Sequence, residues 1–256
     1  MKKIELTIPD NLKALSERQL LFYSFLLLNG NTEIEILTKC FCRFANISIE
    51  KTPIAGTWVA THQKDVFYLK DWEVHSFVHR LDFLINGAYE ITPIRKMASQ
   101  KHVNPRLQGT PFKQYLACEN YYQAFIHTRN EHHLRCLAAA FYTNGRPFAD
   151  SETALRAAKF KKVAPESLYT VFMWYSGLKA ALSRFFPHFF ENTQSSNELP
   201  AVNMRDQING MLRALHGGDI TKLDDVQNTE TWQALSELDA KAREAQEMEN
   251  QLNSIK

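Results

Sequence analysis

Apolar residues recur along this chain at helical spacing, in short segments that each begin at a recognisable polar cap. Ser16-Glu17-Arg18-Gln19 reads as a capping box ahead of the apolar run Leu20 to Leu28, which Asn29-Gly30 stops. Thr32-Glu33-Ile34-Glu35 repeats the device and opens a second helix through about Phe44, so the two predict an αα-hairpin. The period then changes. Thr57-Trp58-Val59-Ala60-Thr61 and Val66-Phe67-Tyr68-Leu69, parted by polar residues, predict a small β-hairpin within residues 47–69. Asp71 is the expected cap of a helix with Trp72, Val74, Phe77, Val78, Leu81 and Leu84 on its apolar stripe, ending at Asn86-Gly87.

Ile91 to Gly109 has no period and contains Pro93 and Pro105, so an irregular segment is expected. Thr110-Pro111 opens a helix to about Thr128, with the proline at the first helical position, and Asn130 caps another that stops before Asn144-Gly145. Ser151 caps a short helix. Pro165 opens a long one from Glu166 to about Phe186, which Pro187 is expected to stop. Phe172, Met173, Trp174 and Tyr175 are consecutive on it and cover most of its circumference, as a central core helix would require.

Polar Asn192 to Glu198 reads as a linker. Beyond it come a helix near Val202 to His216, a Gly217-Gly218 break and a final helix from about Glu230. That helix aligns Trp232, Leu235, Leu238, Ala242, Ala245 and Leu252 on one face, the pattern of an amphipathic docking helix. The expected fold is mainly α: a multi-helix bundle over residues 1–191 with the β-hairpin inserted, a linker at 192–202, and a helical C-terminal appendage over 203–256.

Charge sharpens that division. The chain of 256 residues carries a net +2. From Asn192 onward, 6 Lys and Arg stand against 11 Asp and Glu, a net of −5, so the preceding residues carry +7. An acidic appendage on a mildly basic body is the result. At 45% hydrophobic and 12% aromatic, with 17 Phe, the chain has material for a bulky core. Met1 to Leu6 has no apolar region of a secretory signal, and Leu20 to Leu28 is too short to span a bilayer, so a soluble cytoplasmic chain with its four cysteines reduced is expected.

Chemistry-bearing clusters are few. His75 and His79 lie four apart on a helix, but no His-Glu-x-x-His pattern accompanies them. Cys40 and Cys42 fall about 200° apart on a helix, at about 100° per residue, so they suit buried packing better than shared chelation. His127, Glu131, His132, His133 and Cys136 form the densest group, in which His132 and Cys136 share a helical face. A thiol or metal enzyme is the third reading, resting on this group and on His75 and His79. The chain has no P-loop, no Gly-x-Gly-x-x-Gly and no Gly-x-Ser-x-Gly, and only 9 Gly, which argues against nucleotide-dependent and α/β-hydrolase chemistry. No catalytic residue, metal or cofactor is therefore assigned. Arg146, Arg156, Lys159, Lys161, Lys162, Lys179 and Arg184 form a basic stretch that could neutralise phosphates, and the nucleic-acid alternative rests on Arg156, Lys159, Lys161 and Lys162.

Several stretches together carry a family resemblance. Leu15-Ser16-Glu17-Arg18-Gln19-Leu20-Leu21-Phe22-Tyr23, Leu81-Asp82-Phe83-Leu84, Leu134 to Tyr142 and Phe185-Phe186-Pro187-His188-Phe189-Phe190 resemble phage and prophage tail-region proteins, some of them tail assembly chaperones, as does the terminal Thr231-Trp232-Gln233-Ala234-Leu235. The resemblance implies a non-enzymatic part in virion assembly, in the host-cell cytoplasm and away from membranes. The expected mechanism is docking of Trp232, Leu235, Leu238, Ala242 and Ala245 into a groove on a partner protein or on a second copy.

Overall fold

Two capping boxes set the first two helices. Ser16 and Thr32 accept hydrogen bonds from the amides of Gln19 and Glu35, whose side chains accept from the cap amides in return. Helices α1 (Glu17–Leu28) and α2 (Glu33–Phe44) start there. The structure is a computed structural model; it describes residues 6–52, 54–87, 89–194 and 204–254, with the side chains of 192–194 excepted. The first few residues of the segment read for a signal, and most of the expected linker, lie outside the described residues. The fold is mainly α, and the chain divides into two compact units: Met1–Thr92 with Ala164–Trp174, and Pro93–Val163 with Tyr175–Lys256.

In the first unit, α2 packs on α1 and leads into a three-stranded antiparallel sheet rather than a hairpin: β1 (Ile47–Lys51), β2 (Thr57–His62) and β3 (Asp65–Lys70), in that order. The β1 run alternates apolar and polar residues, and its register on β2 places Ile47 opposite His62 and Lys51 opposite Trp58. Gln63, at φ 56°, makes the tight turn between β2 and β3. One face of the sheet buries Ile47, Ala60 and Leu69. The core beside it holds Tyr23, whose hydroxyl donates to the carbonyl of Leu84, and Phe41, stacked on Phe77 at 5.4 Å.

Helix α3 (Asp71–His79) is shorter than its apolar stripe predicts. Its cap is Lys70, whose amide donates to Glu73, while Asp71 accepts from the Trp58 indole instead. After His79 the chain tightens into a 3-10 turn, with Leu81 bonded to Val78 and Leu84 to Leu81. Three residues per turn bring Val78, Leu81 and Leu84 into one line, and all three are buried.

The second unit begins with β4 (Lys96–Met97) and β5 (Gln100–Lys101), a miniature hairpin where irregular chain was expected. Ala98 and Ser99, both at positive φ, supply its turn. Helices α4 (Phe112–Thr128), α5 (Glu131–Phe141) and α6 (Thr153–Ala157) pack in succession. Pro111 is the cap of α4 rather than its first residue. Ala138, Ala139 and Ala140 are fully buried, and such small side chains let neighbouring backbone approach α5 closely. Helix α7 (Pro165–Phe185) begins in the first unit and ends in the second; Phe172, Met173, Trp174 and Tyr175 are all buried, as a core helix requires.

Pro187 follows the end of α7, which stops at Phe185 as expected, and it also opens α8 (Pro187–Gln194), because a proline in the first turn forfeits no amide bond. The expected division near residue 192 is accordingly displaced: α8 takes in residues 192–194, and the acidic segment folds within the second unit. It comprises α9 (Met204–His216), α10 (Leu223–Asn228) and α11 (Thr231–Ser254), with α11 packed on α4, α8 and α9. Backbone joins it as well, since Phe112 donates to Thr229 at 2.8 Å and Thr231 to Thr110 at 2.9 Å.

His102 is half-buried, stacked on Phe141 at 5.7 Å and edge-on to Tyr142 at 4.9 Å. Its Nδ1–H donates to the Val103 carbonyl at 2.6 Å, and burial pulls its pKa from 6.5 down to about 4. Between those two values the unfolded chain binds a proton that the folded chain refuses, so stability falls as pH drops through that window. The full loss is about 3 kcal/mol, and none of it is felt at neutral pH. His102→Phe is expected to flatten this dependence in urea unfolding compared at neutral and mildly acidic pH; an unchanged slope would contradict the assignment.

Candidate functional site

The His and Cys groups are placed in three separate settings. His75 and His79 are neighbours on α3, with ring centroids 4.3 Å apart, both exposed, and His79 Nδ1 lies 3.1 Å from Asp82. Cys40 is buried and Cys42 half-buried on α2, and burial pushes the Cys40 thiol up to about 12. His132 and Cys136 do meet, with Nε2 and Sγ 3.5 Å apart on α5. Cys136 is nonetheless buried, and that burial raises its pKa, the reverse of the depression a nucleophilic thiol needs. His133 has its pKa lowered by partial burial and by His132, and His127 is exposed in the last turn of α4. Among the described residues, no three His, Cys, Asp or Glu side chains could hold one metal ion.

The predicted docking stripe is turned inward. Leu235 and Leu238 are buried in the second unit, and Trp232 packs on Phe185 and Phe186 with centroids at 5.3 and 5.5 Å. The Trp232 indole donates to the Arg106 carbonyl at 2.6 Å. Ala242 is half-buried and Ala245 exposed. The apolar part of the stripe is therefore covered within this chain's own second unit.

The basic stretch is divided too. Arg156 is largely buried, with Nη2 donating to Glu152 at 2.9 Å and to the Pro147 carbonyl at 3.2 Å. Lys159, Lys161 and Lys162 are exposed around a 3-10 turn at Ala158–Phe160. Lys179 leaves the stretch altogether and pairs with buried Glu119 on α4.

A surface that the sequence reading did not single out lies on the sheet of the first unit. Opposite its buried face, Val66 and Tyr68 of β3 point outward, with Val59 of β2 paired to Tyr68. Tyr68 and Trp72 are each 70% exposed, and Ile54 is comparably open. The Gly56 carbonyl accepts from the Asp71 amide at 3.1 Å, which holds the Ile54 loop beside the start of α3. The available signal was the alternation of Val66 and Tyr68 with Phe67 and Leu69 in one apolar run. β3 is also an edge strand of its sheet. Among the described residues, no helix is long and apolar enough to cross a membrane. The chain matches no protein-family model, no curated protein and no solved structure.

Proposed function

We propose that this chain acts by binding another protein, in the cytoplasmic particle-assembly setting implied by its resemblance to phage tail-region proteins. The supporting observation is the exposure of Val66 and Tyr68, two residues apart on the open face of β3, with Ile54 and Trp72 exposed on the adjoining loop and helix of the first unit. Exposed apolar side chains gathered on a folded surface mark interaction sites, and Tyr and Trp are the residues that anchor them. The binding element is the β3 edge. An extended segment of the partner adds to the sheet through main-chain hydrogen bonds, and Val66 and Tyr68 give it side-chain specificity.

Tyr68→Lys combined with Trp72→Lys is expected to abolish co-purification of the partner while leaving the thermal midpoint nearly unchanged, because both side chains are exposed. A photo-crosslinking side chain at position 68 should yield one discrete adduct, and the same group at Glu247 of α11 should yield none. Partner capture that survives the double substitution would sink this reading. An adduct of twice the chain's own mass would identify the partner as a second copy.

A further inference from the structure

A second feature, in the other unit, has the chemistry of an anion site. A cavity of about 100 Å³ is lined by Arg146, Arg156 and Lys159 together with Glu152, Gln100 and Thr143. Buried Phe160 and Tyr142 also line it. The volume suits one tetrahedral oxyanion and is too small for a nucleoside. Three cations face one carboxylate, so the lining carries a net +2, complementary to a phosphate dianion.

Each cation is positioned by its own local structure. Arg146 follows the left-handed Asn144 and Gly145, and its amide donates to Thr143 at 3.1 Å. Arg156 is set by its ion pair one turn back with Glu152 and by the Pro147 carbonyl. Lys159 comes three residues later, on the same side of the helical path. The decisive atom is Arg156 Nη1. The Arg156 side chain is only 12% exposed, and Nη1 is buried with no hydrogen-bond partner among the described residues. A buried guanidinium N–H without an acceptor is unfavourable and rare in folded proteins, and because Arg156 lines the cavity, an oxyanion bound there offers the guanidinium that acceptor once Nη1 turns toward it.

We infer that this cavity binds a single phosphate group, free or as a monoester, held by the Arg156 fork with Arg146 and Lys159 as charge partners. Lys161 and Lys162 do not line the cavity, which separates this site from a general basic face.

Calorimetric titration of the full chain with inorganic phosphate tests it. One saturable phosphate per chain is expected. Arg146→Ala with Lys159→Ala should weaken binding by about tenfold or more, since two charge-assisted contacts are lost. The thermal midpoint should hold, because both side chains are exposed. Lys161→Ala with Lys162→Ala should change nothing. Phosphate should bind more tightly as its dianion than as its monoanion, and so more tightly as pH rises through its second ionisation, whereas sulfate, doubly charged throughout, should show no such trend. Weaker binding of adenosine 5′-monophosphate than of phosphate would mark the free ion as what is read; equal or tighter binding would mark an ester. Heats no different from sodium chloride at equal ionic strength would overturn the site. Binding of a single-stranded oligonucleotide, but not of phosphate, would overturn it in favour of an extended nucleic-acid face.

Discussion

Glu119→Ala is expected to destabilise the second unit by about 3 kcal/mol, the lower end of the range for breaking a buried ion pair, because Lys179 keeps some solvent contact. Glu119 is buried on α4 and accepts from Gln123 at 2.8 Å, from the Tyr175 hydroxyl at 3.1 Å and from the Lys179 ammonium. Lys179 also sits over the Tyr122 ring, 5.0 Å from its centroid. Without the carboxylate, that cation loses its counter-charge, and the hydroxyl of fully buried Tyr175 loses this hydrogen bond. Glu119→Gln preserves an acceptor and should cost less. Adding Lys179→Met to Glu119→Ala should recover part of the loss, because the unpaired charge is then gone. Urea unfolding with an unchanged slope is the measurement. A midpoint within experimental error of the parent for Glu119→Ala would show that the network holds nothing together.

Leu235→Ala is expected to cost about 2–5 kcal/mol, the range for truncating a fully buried leucine. The side chain lies on α11, which packs on α4, α8 and α9, and the same helix carries the Trp232 contacts to Phe185, Phe186 and the Arg106 carbonyl. Met248→Ala, on the exposed far half of α11, should change stability by less than about 0.5 kcal/mol. Thermal unfolding of both variants distinguishes a core helix from a docking arm. A free arm would tolerate both substitutions equally. If Leu235→Ala leaves the midpoint in place, α11 does not complete the core of its unit.

The local signals in this sequence translated well wherever both partners of an interaction lie within four residues. The capping boxes at Ser16 and Thr32, the stop at Gly30 with φ 66° and the 3.5 Å meeting of His132 with Cys136 all depend on neighbours along the chain. The helical class followed from the same short-range physics, because propensity, capping and apolar period act within one or two turns. Pro187 shows the margin of that reasoning. Its ring stops α7 and equally favours starting a helix, and only the chain beyond it decided that α8 follows.

Burial was decided at longer range. Trp232, Leu235 and Leu238 announce an apolar face, but an amphipathic helix specifies that it needs cover without specifying whose, and here the cover comes from α4, α8 and α9 of the same unit, with Phe185 against Trp232. Val66 to Leu69 is one apolar run, yet the sheet has a single covered face, so Leu69 goes in and Tyr68 stays out. Arg146, Arg156 and Lys159 look like one charged stretch, while the fold sets them around a cavity and leaves Lys161 and Lys162 outside it. The sequence by itself determined where helices begin and which faces want cover. The tertiary structure decided which faces obtained it, because covering a side chain takes atoms that lie far away along the chain.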